Sequence, residues 1–136
     1  MATSPQFAVT PNNVIKEYVP TTSTNLTWEA GANGGIIKAI LARVVADDDV
    51  VIGIKLSIGG VSSRIVCVQP AAIATADENT STTPPVNLLD ELTFPGLAAV
   101  DENRYLVFGA GDGIEIEVLS SWSTGSATVA IFGGDY

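Results

Sequence analysis

Histidine is absent from this chain of 136 residues. Its absence excludes the Ser-His-Asp and Cys-His nucleophile systems, imidazole zinc sites and the commonest general base near neutral pH. Cysteine occurs once. Cys67 cannot close an internal disulfide, and within Arg64-Ile-Val-Cys-Val68 it reads as a small buried hydrophobe. Charge is scarce, 15% of residues against about 25% in ordinary soluble domains. Cations are scarcer still: six Lys and Arg face fifteen Asp and Glu, for a net charge of −9 and a pI near 4.1. A field of that sign repels phosphate, and Lys16, Lys38, Arg43, Lys55, Arg64 and Arg104 are scattered. Nucleic acid and anionic membrane surfaces are therefore disfavoured as partners. Long apolar runs are missing too. The longest, Ile36 to Ala46, is broken by Lys38 and Arg43 and is too short to cross a bilayer. Met1 to Thr10 has neither the basic start nor the apolar centre of a signal peptide, so a soluble protein made in a cytoplasm is expected.

What is present is apolar and finely divided. Hydrophobic residues make up 46% and the mean hydropathy is +0.35, while thirteen Gly and seven Pro cut the chain into short segments that suit strands better than helices. Low charge with excess apolar content suits a protein that keeps apolar surface for partners. Residues 1–13, with Pro5, Pro11, Asn12 and Asn13 around Phe7 to Val9, read as an extended N-terminal arm. Residues 14–136 read as one domain. Its strands are expected at Val14–Val19, Asn25–Glu29, Ile36–Val45, Val50–Ile58, Val61–Gln69, Arg104–Gly109, Ile114–Leu119 and Ala127–Phe132. Ile36–Val45 also fits a helix, since Ile36, Ile40 and Val44 recur at spacing four. Its β-branched content and the lack of an N-cap favour a strand. Gly59-Gly60 is the signature of a two-residue hairpin; the strand after it is expected to place Val61, Ser63, Ile65 and Cys67 on one face and Ser62, Arg64, Val66 and Val68 on the other. Pro70–Pro85 reads as an exposed loop, and Val86–Phe94 as a strand or short turn. The fold class is all-β, an antiparallel β-sandwich or jelly roll.

Chemistry-bearing residues are few. Asp47, Asp48 and Asp49 offer adjacent carboxylates that suit a hard cation such as Ca²⁺, but they lack a spaced loop of alternating ligands, and a solvated hairpin tip is the plainer reading. Glu115 and Glu117 share a strand face as glycosidase carboxylates do, without an evident cleft. The strict alternation of Ile114-Glu-Ile-Glu-Val118 puts one side in the core and leaves the other wet or facing cations. Gly109-Ala-Gly-Asp-Gly113 is followed by a strand and has no lysine, so it reads as a turn and not a phosphate cradle. Asn25 and Asn79 begin glycosylation sequons that go unused without secretion. Trp28 and Trp122 lie near strand–loop junctions, where tryptophan serves as core, interface anchor or sugar platform. No pattern calls for a cofactor or a catalytic residue, so the chain is expected not to be an enzyme.

Four stretches resemble small virion proteins encoded among the structural genes of tailed bacteriophages. They are Thr21-Thr-Ser-Thr-Asn-Leu-Thr-Trp28, Ala30-Gly-Ala-Asn-Gly-Gly-Ile-Ile-Lys-Ala-Ile40, the strand Val50 to Ile58, and the ending Val129-Ala-Ile-Phe-Gly-Gly-Asp-Tyr136. The resemblance implies a capsid decoration or cement protein, commonly a trimer, bound to the major capsid protein on the outer head surface, with no catalytic residues. Phe7, Val9, Trp28, Trp122 and Tyr136 are then the candidate partner-interface residues. A tail or head-fibre adaptor is the nearest alternative, and a carbohydrate-binding sandwich using Trp28 or Trp122 is the one from another class.

Overall fold

The computed structural model describes residues 10–22, 24–90, 93–94, 99–100 and 103–136. Its strands are Thr10–Tyr18 (β1), Leu26–Glu29 (β2), Gly35–Ala46 (β3), Ile52–Ile58 (β4), Val61–Val68 (β5), Ala72–Ile73 (β6), Val86–Asn87 (β7), Ala99–Val100 (β8), Asn103–Arg104 (β9), Leu106–Phe108 (β10), Gly113–Val118 (β11) and Gly125–Asp135 (β12). Two antiparallel sheets enclose the core, as expected for a sandwich. One, here the long sheet, runs β1-β12-β3-β10; the other, the short sheet, runs β2-β11-β4-β5. Among the described residues β8 and β9 pair only with each other.

Strand alternation decides what each sheet buries. On the long sheet Ile40, Ala42 and Val44 of β3 lie in the core with Ala127, Val129 and Ile131 of β12; the short sheet contributes Ile52, Ile54, Ile114 and Ile116. Each such side chain contributes roughly 1.5–3 kcal/mol on leaving water. The stretch that also fitted a helix is the central strand β3. A helix would turn apolar residues to every side, whereas the strand has both edges occupied and packs its Ile, Val and Ala against β12 and the opposite sheet. Three short segments tile its second edge in order: β10 beside Gly35–Ile37, β7 beside Leu41–Ala42, and β6, in the one parallel pairing, beside Val44–Val45.

The loop of residues 70–85 thus contains a strand, β6, and a single 3₁₀ turn at Thr75–Asp77, although it is largely exposed. Gly59 and Gly60 form the expected turn between β4 and β5, both with positive φ, as a type I′ hairpin requires. β1 starts at Thr10, four residues before the alternation suggests, because residues 10–13 pair with Phe132–Asp135. The remainder of the arm, residues 1–9 with Phe7 and Val9, lies outside the described residues.

The expected face assignment of β5 is corrected. Lys55 pairs with Arg64 but Ile54 pairs with Val66, so Ile65 is an extra residue, a β-bulge. Beyond it the alternation is inverted, which sends Val66 and Val68 to the core side and Cys67 to the outer face. Cys67 is exposed and not a buried hydrophobe.

One polar side chain joins the two sheets through the dry interior. The buried Tyr18 hydroxyl, on β1, donates to Ile116 O at 2.7 Å and accepts from Leu26 N at 2.8 Å. Leu26 and Ile116 are register partners on β2 and β11, so the phenol satisfies both backbone groups at that end of the ladder. Burial pushes the pKa of its hydroxyl up to about 12 from 10.0, with the Leu26 N–H opposing and Glu115 and Glu117 adding to the rise.

Tyr18→Phe leaves two buried backbone groups unpaired and is expected to cost about 2–4 kcal/mol in denaturant unfolding. The wild-type phenol is harder to ionise folded than unfolded. Its contribution is therefore complete below pH 10 and is lost as the pH rises from 10 through about 12, a decline of about 3 kcal/mol. Tyr18→Phe is expected to lack that alkaline component when unfolding is followed against pH.

Candidate functional site

Three of the four sequence stretches that carry the resemblance, those ending in Trp28, beginning at Ala30 and closing at Tyr136, meet at one end of the sandwich, while Val50–Ile58 lies apart between β11 and β5. The Trp28 indole, 1% exposed, leaves β2 to enter the core, and Nε1 donates to Asn12 O on β1 at 2.8 Å. Its ring tilts against Phe108 of β10 with centroids 5.5 Å apart. Two glycines make the room. A Cβ on Gly133 would stand 2.6 Å from Ile36 O and 3.0 Å from the indole; one on Gly35 would stand 2.8 Å from Gly134 O and 3.1 Å from the indole. Asp135 closes this end: its Oδ1 accepts from Gly31 N at 3.0 Å and from Asn12 Nδ2 at 3.0 Å. Tyr136 N donates to Gly34 O at 3.2 Å. The turn Ala30–Gly35 and the ending Gly133–Tyr136 are thus two halves of one structural lock.

This placement bears on the candidate interface residues. Trp28 is interior and turns no ring surface outward. Trp122 is half-buried, packs against the core and donates from Nε1 to Gly125 O at 3.3 Å. Tyr136 is half-buried beside the lock.

Two of the three aspartates, Asp47 and Asp48, tie loops together through their carboxylates. Asp47 accepts from Thr75 N at 3.0 Å, Thr75 Oγ1 at 2.8 Å and Thr124 Oγ1 at 3.3 Å; Asp48 accepts from Ser123 N and Oγ, both at 3.2 Å. The Thr75 N–H, then its hydroxyl and that of Thr124, hold the Asp47 carboxyl below its ordinary value. Among the described residues no cluster of His, Cys, Asp or Glu is arranged to hold a metal ion. The loop of residues 109–113 is a turn whose Asp112 receives Gly59 N at 3.0 Å.

The outer face of the short sheet is a self-neutralised charge network. Lys55 Nζ lies 3.7 Å from Glu117 and 4.0 Å from Glu115, and Arg64 reaches Glu117 at 3.0 Å. Asn25 Nδ2 donates to Glu115 at 2.9 Å. The cations that Glu115 and Glu117 face come from the chain's own β4 and β5. Both carboxylates are committed acceptors, which leaves neither placed as an independent acid or base. Beside them a shallow groove of about 260 Å³ is bounded by Glu29, Ser57, Ser62 and Gly113. It carries hydroxyls and carboxylates but no exposed aromatic ring.

The outer face of the long sheet is different. Ile15, Ala130 and Leu41 lie abreast on β1, β12 and β3, and Phe132 and Ala39 form the next row. Ile15 is 70% exposed and Phe132 43%. Glu17 and Arg43 flank Thr128 one row away, and Arg43 is turned to Glu78 O at 3.0 Å. Composition signalled surplus apolar surface, but only strand register could place it here. No helix among the described residues is long and apolar enough to cross a membrane. Comparison of the chain with family models, curated proteins and solved structures finds no match.

Gly133→Ala is expected to force the last strand away from Trp28 at a cost of about 1–3 kcal/mol in unfolding free energy, with a change in tryptophan emission. Acid is expected to release the loop held by Asp47. That tie is present above the ordinary carboxyl value of 3.8 and is lost as pH falls through the lower folded value, read by Thr75 amide exchange.

Proposed function

We propose that this chain is a non-enzymatic structural subunit of a bacteriophage virion: a decoration protein that seats on the outer surface of the head shell, binds the major capsid protein and acts as a homo-oligomer. The observation that carries the assembly role is the apolar outer face of the long sheet. Ile15, Phe132, Ala39, Ala130 and Leu41 form a contiguous patch across β1, β12 and β3, bordered by Asn13 and Lys38 at one end and by Glu17 and Arg43 at the other. Contiguous apolar surface flanked by polar residues is the usual character of a protein-binding surface. The phage shell as the assembly is what the sequence resemblance supports.

Ionic composition supports the same reading. Lys55 and Arg64 are paired with Glu115 and Glu117, and the Asp47 and Asp48 carboxylates are held by backbone N–H groups and hydroxyls. A net charge of −9 keeps free subunits apart and soluble while leaving the uncharged face available.

The test mixes purified protein with undecorated shells of the source phage and counts bound copies. Saturation in numbers set by the shell lattice is expected. Binding confined to a few vertices points to a tail or fibre component, and no binding overturns the shell assignment. Ile15→Lys is expected to weaken shell binding about tenfold or more, since burying one such side chain is worth roughly 1.5–3 kcal/mol, while thermal unfolding stays unchanged. Removal of residues 1–9 is expected to reduce affinity and leave the sandwich folded.

A further inference from the structure

β5 is the outermost strand of the short sheet, and among the described residues it pairs only with β4. Six of its eight residues are exposed. A strand open along its edge is ordinarily guarded by proline, by charged side chains, by a β-bulge or by a covering segment. β5 has no proline, and its single charge, Arg64, lies on the outer face, held by Glu117. Its one irregularity, the bulge at Ile65, leaves Val61–Arg64 regular. The hairpin also concentrates exposed apolar side chains: Ile58 is 53% exposed, Val61 70% and Ile65 53%.

Charge selects the occupant. In a chain of net charge −9, no acidic residue occurs between Val50 and Ala76. The two cations there, Lys55 and Arg64, are neutralised by Glu115 and Glu117, and Asp112, beside the hairpin tip, is engaged by Gly59 N–H. Two copies that repel elsewhere can meet here while bringing together only their Arg64 side chains, each already paired with Glu117. An antiparallel edge is also complementary to itself, because a two-fold axis normal to the sheet superposes donors on acceptors.

We propose that β5 pairs antiparallel with β5 of a second copy, about a two-fold axis at Ser63, so that the sheet β2-β11-β4-β5 continues into its mate. With that register Ser62 of each copy lies across from Arg64 of the other, and the exposed Val61 comes to the end of the regular stretch where the bulged Ile65 of its mate lies, so that each end of the contact carries two apolar side chains. The contact is two-fold, unlike the trimer that the sequence resemblance implies, and it stands independently of whether the particle served is a phage head.

The full chain tests this by light scattering over a concentration series. A concentration-dependent dimer is expected. Val61→Lys and Ile65→Lys each set lysines into the contact and are expected to weaken dimerisation about tenfold or more, with unfolding unchanged because both positions are exposed. Ile15→Lys is expected to leave the dimer intact. Ser63→Cys combined with Cys67→Ser is expected to give a disulfide-linked dimer with oxidised glutathione, since facing residues of an antiparallel pair lie about 4.5–5.5 Å apart. A mass that stays monomeric or is trimeric overturns the proposal. So does a dimer unmoved by both lysine variants, or one in which Ser63→Cys fails to cross-link.

Discussion

The burial of Trp28 is the constraint on which this sandwich depends. A large indole entering the core near the end of two sheets needs room, a partner for its N–H and a ring to pack on. The chain supplies these from four distant places: the β1 carbonyl at Asn12, Phe108, and the bare backbones of Gly35 and Gly133. Asp135 then fastens the turn at Gly31 to the last strand. Near the other end of β1, Tyr18 fastens the first strand to β2 and β11. The rest of the core is mainly aliphatic, with Phe94 and Trp122 as its other aromatics among the described residues. Hydrophobic packing is non-directional; the two hydrogen-bonded aromatics add the directionality that sets one sheet against the other.

The two outer faces answer the composition in different ways. The short sheet uses its few cations locally, against Glu115 and Glu117, so that its exterior is polar and internally balanced. The long sheet leaves Ile15 and Phe132 in water. With so few charged side chains, the sandwich cannot cover both faces with them. The uncovered face and the open edge of β5 point in different directions, which suits a subunit that makes more than one kind of contact.

Several elements were legible in the residues alone. Alternation identified β4, β11 and β12, the Gly59-Gly60 turn gave the hairpin, and β-branched content made β3 a strand despite its spacing of four. Cys67 shows where such reading stops. One bulged residue at Ile65 inverts every later position of β5, and nothing local in Arg64-Ile-Val-Cys-Val68 marks which residue bulges. Trp28 likewise read as core or interface ahead of a sugar site, and only Gly35 and Gly133 packed against its ring place it in the core. The aspartates at 47–49 are an exposed tip, as read, but the sequence does not show that Asp47 and Asp48 hold Thr75, Ser123 and Thr124, which follow much later in the chain.

By itself, then, the sequence determined the all-β class, the short strands and the lack of an imidazole-based active site, because these follow from residue type and from periods of two that are local along the chain. The tertiary structure alone decided which faces are dry, where the surplus apolar surface lies and which acids find partners. Those properties belong to pairs of residues far apart in sequence, brought together by strand register, and a single inserted residue shifts them all.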